Sequence, residues 1–143
     1  MDSEVSLTSL SQKKISQLRS STIVPHMYLY IEKYDLDPLI SVVVYEIEVG
    51  IQKKDTVHIK KIKKRYSELR DFDEQIRPLY RENRFLKPFP PKKLWGNKRK
   101  EFLDQRAEQL QDYLTNLVRV AGMNSTPSFI RTFEIQSDSF DDF

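Results

Sequence analysis

The chain has no cysteine, which excludes disulfides, thiolate zinc centres and a cysteine nucleophile. Its three glycines are too few and too scattered for a phosphate-cradling loop of the Walker or dinucleotide type, which needs several at fixed spacing within one turn. The two histidines, His26 and His58, lie too far apart in sequence for a local metal motif. No serine or aspartate is matched to a histidine base in a recognisable motif, and no paired carboxylates occur in a basic setting, so catalysis is not expected. No apolar run approaches the roughly 18 residues of a spanning helix. The opening stretch MDSEVSLTSLSQKK has no basic region followed by an apolar one, unlike a secretory signal. At 143 residues the chain is long enough for one domain, burying roughly two-thirds of the surface its unfolded form exposes. These exclusions leave a soluble, cytoplasmic binding domain, with no cofactor and no metal expected.

What is abundant is segregated charge. Residues 53–65 and 84–106 together hold fifteen Lys/Arg against three acids, a net +12 over 36 residues; the other 107 net −9. If the fold brings the two segments together, one face becomes strongly basic and suits a polyanion: nucleic acid, an anionic bilayer or an acidic partner. Nucleic acid is disfavoured, because base-stacking aromatics should interleave with the lysines and none occurs between residue 53 and Tyr66. The alternative is that the lysines merely solvate a strand and a loop.

The period of the apolar residues outlines an α+β domain. Residues 1–22, with seven serines and no aromatic, read as a disordered tail carrying at most a transient helix over Leu7, Leu10, Ile15 and Leu18. Residues 27–34, 41–49 and 56–65 read as three strands of an antiparallel meander, with turns at 35–38 and 50–55. Val43, Tyr45, Ile47 and Val49 share one face. Val57 and Ile59 share a parity that Ile62 breaks, so a bulge is expected near Lys61. Helical spacing then takes over at Leu69, Phe72, Ile76 and Leu79, with Ser67 as the expected N-cap and Pro78 ending the helix near Arg77. The three prolines and one glycine of residues 84–97 specify a stiff extended loop. A long helix over 98–120 carries Leu103, Ala107, Leu110, Leu114 and Leu117, and Gly122 stops it. Thr126 and Pro127 open a short helix with Phe129, Ile130 and Phe133. Residues 23–136 form the expected domain, a three-stranded sheet packed on three to four helices. The acidic 137–143 reads as a second tail.

Three groups carry chemistry. Arg65 and Tyr66 sit at a strand-to-helix junction, where an arginine fork beside a helix N-terminus suits a phosphate and an aromatic face can receive a ring. A core tyrosine beside a surface ion pair is the competing reading. Lys92 and Lys93 follow Pro90 and Pro91, which fix their path, and lead into Leu94 and Trp95. Lysine beside tryptophan on a loop matches a bilayer interface, although a lone tryptophan also caps cores. Arg106 lies at the edge of the long helix's apolar stripe, where a cation either snorkels or has a dedicated partner.

Taken in order, Lys64-Arg65-Tyr66-Ser67-Glu68-Leu69, then Phe89-Pro90-Pro91-Lys92-Lys93, then F-x-x-x-R-x-x-x-L-x-x-Y-L from Phe102 to Leu114, the chain resembles a phox-homology (PX) domain of the sorting-nexin kind over about residues 23–135. The resemblance implies a phosphoinositide-binding module, most often for phosphatidylinositol 3-phosphate, peripheral on early endosome membranes and acting in sorting. It implies that Arg65 holds the 3-phosphate, Tyr66 floors the inositol ring, Lys92 (or Lys93, if the register differs by one) reaches the 1-phosphate, and Arg106 bonds the 4- and 5-hydroxyls. Leu94 and Trp95 resemble the inserting loop. Leu69 stands where phenylalanine is more usual, a core exchange. Trafficking-coat or cargo proteins are possible partners, and an adaptor that binds proteins through the proline-rich loop is the alternative function.

Overall fold

The computed structural model describes residues 2–92 and 99–136. Eight regular elements run in the order β1 (Ser3–Ser6), α1 (Gln12–Ser20), β2 (Met27–Asp37), β3 (Val42–Lys53), β4 (Thr56–Arg65), α2 (Tyr66–Ile76), α3 (Lys100–Leu117) and α4 (Pro127–Thr132), joined by short 3-10 turns. The sheet is antiparallel, in the spatial order β1-β4-β3-β2. The class is α+β, as expected, with four strands rather than three.

The additional strand lies in the segment expected to be a disordered tail. β1 pairs with β4, Val5 opposite Val57, and α1 lies over the sheet face that the other helices leave open. There Leu18, Tyr28 and Val57 are buried, with Val5, Leu7, Leu10, Tyr30 and Ile59 packed around them. The opposite face forms the larger core with α2, α3 and α4, where Met27, Leu29, Tyr45, Ile47, Ile62, Phe72, Leu114 and Phe129 meet. Both faces being covered also explains the parity break in β4. Ile62 points into the large core while Val57 and Ile59 point under α1, and the β3–β4 register runs unbroken from Val44/Arg65 to Lys53/Thr56. No bulge is needed at Lys61. The register shift falls instead in β2, between Ile31 and Lys33.

Of the two expected turns, one is shorter and the other lies further along the chain. β3 continues through Gly50 to Lys53, leaving Lys54 (φ +56°) and Asp55 as the turn. β2 continues to Asp37, and Pro38–Ser41 make the turn. Pro78 ends α2 as anticipated, in a 3-10 turn over Arg77–Leu79, and Thr126 caps α4 by accepting the Phe129 N–H. The cap of α2 is Arg65 rather than Ser67. An arginine side chain accepts nothing, so the cap works through the backbone: the Arg65 N–H donates to Glu68 Oε1 at 2.9 Å.

Beneath α1 lies a buried charge. Tyr28 Oη donates to Glu48 Oε2 at 2.5 Å, and Lys14 Nζ stands 2.8 Å from the same oxygen and 3.0 Å from Glu32 Oε1. Burial opposes ionisation of Glu48, but the hydrogen bonds from Lys14 and Tyr28 outweigh it and hold the carboxyl below its ordinary value. A carboxylate depressed on folding contributes stability above its unfolded pKa of about 4.3, and loses it as pH falls through the folded value. Melting temperature measured against pH should therefore fall on acidification below about pH 4.5, more shallowly in Glu48→Gln than in wild type. Identical acid limbs would show that Glu48 adds nothing to the docking of α1.

Candidate functional site

The end of β4, the start of α2, the proline-rich segment and α3 meet at the ring of Tyr66. Arg65 is the last residue of β4, in extended backbone (φ −90°, ψ 160°), with its side chain exposed. Tyr66 opens α2 and is half-buried. Its hydroxyl donates to the Pro90 carbonyl at 2.6 Å, and its ring tilts against Phe89 at 5.4 Å. Phe89 stands edge-on to Tyr113 at 5.1 Å. Tyr113 in turn donates to Asp73 at 2.7 Å, and Asp73 receives the Arg77 fork at 2.7 and 3.0 Å. Arg77 also donates to the Lys87 carbonyl at 2.7 Å. The segment 87–91 is thus tied to α2 and α3 by carbonyl bonds and ring contacts, so prolines that donate no hydrogen bonds are still fixed in place.

Arg106 is 8% exposed. Its guanidinium lies 4.2 Å from the centre of the Tyr66 ring and 4.6 Å from that of Phe102, and Nη2 donates to the Pro91 carbonyl at 3.3 Å. The dedicated partners that an edge cation requires are therefore two aromatic faces and a loop carbonyl. Burial pushes the Tyr66 phenol up, with Arg106 and then Arg70 opposing. Beneath them the Tyr45 hydroxyl is buried and has no hydrogen-bond partner among the described residues; burial pushes it up to about 12, with Arg106 again opposing.

The structure accordingly brings Tyr66 and Arg106 into contact and places Arg65 and Lys92 next in chain to the residues they touch. Lys92 is exposed and directly follows Pro91. Among the described residues, several neighbouring cations are committed to carboxylates: Lys61 to Glu46 at 3.7 Å, Lys64 to Glu134 at 3.0 Å and Lys100 to Asp104 at 2.7 Å. Lys93, Leu94 and Trp95 lie outside the described residues, as does the 137–143 tail. Arg70 was not singled out from the sequence. Its guanidinium is 5.9 Å from the Tyr66 ring, and the signal was available, since i and i+4 share a helix face. A cleft of about 300 Å³ lies away from these residues, between α1 and α3, lined by Gln12, Ser16, Tyr30 and Gln111.

Among the described residues, no helix is long and apolar enough to cross a membrane, and no group of three or more His, Asp or Glu suits a metal ion. Solved structures share the fold, among them two PX domains. A designed CISK-PX domain superposes with a TM-score of 0.62 at 18% identity, covering 72% of this chain and 94% of that one. The mouse SNX19 PX domain with bound sulphate ion gives 0.55 at 13%, covering 77% and 97%. No curated protein matches in sequence. The family model for the PX domain matches residues 52–135, a span that contains Arg65, Tyr66, Lys92 and Arg106, and the chain belongs to the PX domain family.

Proposed function

We propose that this chain reads phosphatidylinositol 3-phosphate on endosomal membranes and so recruits its protein to sites of sorting. PX domains are in general phosphoinositide-binding, membrane-targeting modules rather than catalysts. The observation that carries the reading is the Tyr66 ring flanked by Arg106 at 4.2 Å, with the Pro90 and Pro91 carbonyls tied to the same two side chains. In this reading Arg65 takes the 3-phosphate in its fork, the free edge of Tyr66 supports the inositol ring, Arg106 meets the 4- and 5-hydroxyls from its place against that ring and Lys92 meets the 1-phosphate. Lys93 replaces Lys92 if the loop is offset by one residue. Each hydrogen bond to a charged group nets roughly 1.5–3 kcal/mol, and each basic residue near an anionic leaflet adds about 1 kcal/mol. Headgroup capture alone is therefore modest, and residence on a membrane needs pocket and surface together.

Sedimentation with vesicles carrying each phosphoinositide in turn tests the reading. Binding should follow the 3-phosphate; retention that tracks total negative charge, whatever the headgroup, would remove it. Leu94 and Trp95 are assigned to the bilayer interface. Trp95→Ala should weaken vesicle binding by about tenfold, the effect of roughly 1.4 kcal/mol, and leave affinity for a soluble short-chain headgroup unchanged. Equal losses in both assays would assign Trp95 to the core.

A further inference from the structure

We propose that Tyr45 is a positioning residue of the headgroup site: its hydroxyl accepts an N–H from the inner side of the Arg106 guanidinium when a ligand draws on the outer side. This deepens the headgroup reading above and rests on it. Tyr45 is 0% exposed, and its hydroxyl has no hydrogen-bond partner among the described residues. Four other tyrosines packed in the two cores are satisfied. Tyr28 donates to Glu48, Tyr34 to Asp104, Tyr66 to the Pro90 carbonyl and Tyr113 to Asp73. Burying a hydroxyl without a partner costs stability, and phenylalanine would fill the same space without that cost. A polar group kept at a cost beside a binding site calls for a use there.

Register and packing put the hydroxyl at this site. Tyr45 stands on the large-core face of β3, opposite Lys64 in β4 and Tyr34 in β2. Lys64 directly precedes the Arg65-Tyr66 junction. The Tyr45 ring centre is 6.3 Å from that of Tyr34, and Tyr66, Phe89 and Ala107 pack on the same core. After burial itself, Arg106 has the largest influence on the ionisation of this phenol, ahead of Tyr34 and Tyr66, which sets the hydroxyl within electrostatic reach of the guanidinium. Arg106 is the more exposed of the pair, so the hydroxyl lies on its inner side. The guanidinium has donors to spare. It carries five N–H groups, and among the described residues the Pro91 carbonyl takes one of them, at 3.3 Å, which is long for an N–H···O bond. Polar groups at a binding site commonly reach hydrogen-bond distance only when the ligand is bound. A ligand bonded to the outer N–H groups pulls the guanidinium plane off the Tyr66 face, and an acceptor on the inner side opposes that pull.

Tyr45→Phe removes one oxygen and keeps the ring. Its melting temperature should equal or exceed that of wild type. Its affinity for soluble short-chain phosphatidylinositol 3-phosphate, read by isothermal titration, should fall about tenfold, the loss of one hydrogen bond to a charged group. A role in packing alone would leave that affinity in place. Magnetic resonance gives a second readout. Exchange of the Arg106 side-chain N–H protons with water should slow in wild type at saturating headgroup and stay fast in Tyr45→Phe at saturation. Affinity within about twofold of wild type, or exchange that slows alike in both proteins, overturns the positioning role and leaves the headgroup reading standing. A melting temperature lowered by about 4 °C or more overturns it too, by showing that the hydroxyl is bonded within the fold. Wild type that binds no soluble phosphoinositide headgroup overturns the headgroup reading and the positioning role with it.

Discussion

Arg65→Gln should reduce binding to phosphatidylinositol 3-phosphate vesicles by two to three orders of magnitude and leave the melting temperature within about 1 °C of wild type. An arginine fork on a phosphate makes two charge-assisted bonds, so its removal forfeits roughly 3–4 kcal/mol, and tenfold in affinity corresponds to about 1.4 kcal/mol. Stability should survive because what Arg65 gives the fold is backbone. Its N–H bonds Glu68 Oε1 at 2.9 Å and its backbone stands opposite Val44 in the last rung of the ladder, all of which glutamine retains. The side chain itself is exposed. Isothermal titration with a soluble headgroup separates the loss from surface effects. Affinity unchanged within twofold would place the phosphate elsewhere, with Arg70 the next cation to examine, since it approaches the same ring.

Gly50→Ala should be the most damaging single methyl in the chain. A Cβ at that position would sit 2.2 Å from Tyr28 Cε2 and 2.3 Å from Cζ. The Tyr28 ring is fully buried and lies across the glycine from the paired strand, an arrangement in which an aromatic covers the bare backbone of its neighbour. The ring cannot swing aside freely, because its hydroxyl is bonded to Glu48 and α1 closes over it. Overpacking costs about 1–3 kcal/mol, and displacing the ring also strips a buried carboxylate of a hydrogen bond worth a further 1.5 kcal/mol or so. The sum of roughly 3–4 kcal/mol lowers the melting temperature by about 10 °C in a domain of this size. Calorimetry of Gly50→Ala, Tyr28→Leu and the pair tests the mechanism. The pair should be less destabilised than the two singles added, as contacting sites require; strict additivity would mean that the methyl clashes with something else.

The large core and its order were legible because they obey simple periods. Val43 to Val49 alternate along β3, and Leu103, Leu110, Leu114 and Leu117 recur on α3 at helical spacing. Pro78 and Thr126-Pro127 acted as their backbone chemistry dictates. The layer formed by β1 and α1 was not legible, because its apolar residues are thinly spread among seven serines. The evidence for it lay elsewhere in the chain. Val57 and Ile59 on one parity and Ile62 on the other announce a strand covered on both sides, and a bulge was the wrong remedy. Gly50 misled for a related reason. In sequence it resembles a turn residue, and only its partner across the ladder, Tyr28, accounts for a glycine inside a strand. At the site, local chemistry identified Tyr66 and Arg106 as special without saying that they touch; forty residues separate them, and helix and loop packing alone brings them within 4.2 Å.

That contact makes position 106 an arch stone. One guanidinium already stands dehydrated between two rings and hooked to a proline carbonyl, so the reorganisation that an incoming lipid would otherwise demand is largely completed during folding. The same economy removes independence. Substituting lysine keeps the charge but forfeits the flat stacking and the fork, so hydrogen exchange in segment 87–92 and lipid residence time should deteriorate together, and no variant at this site can tune one without disturbing the other.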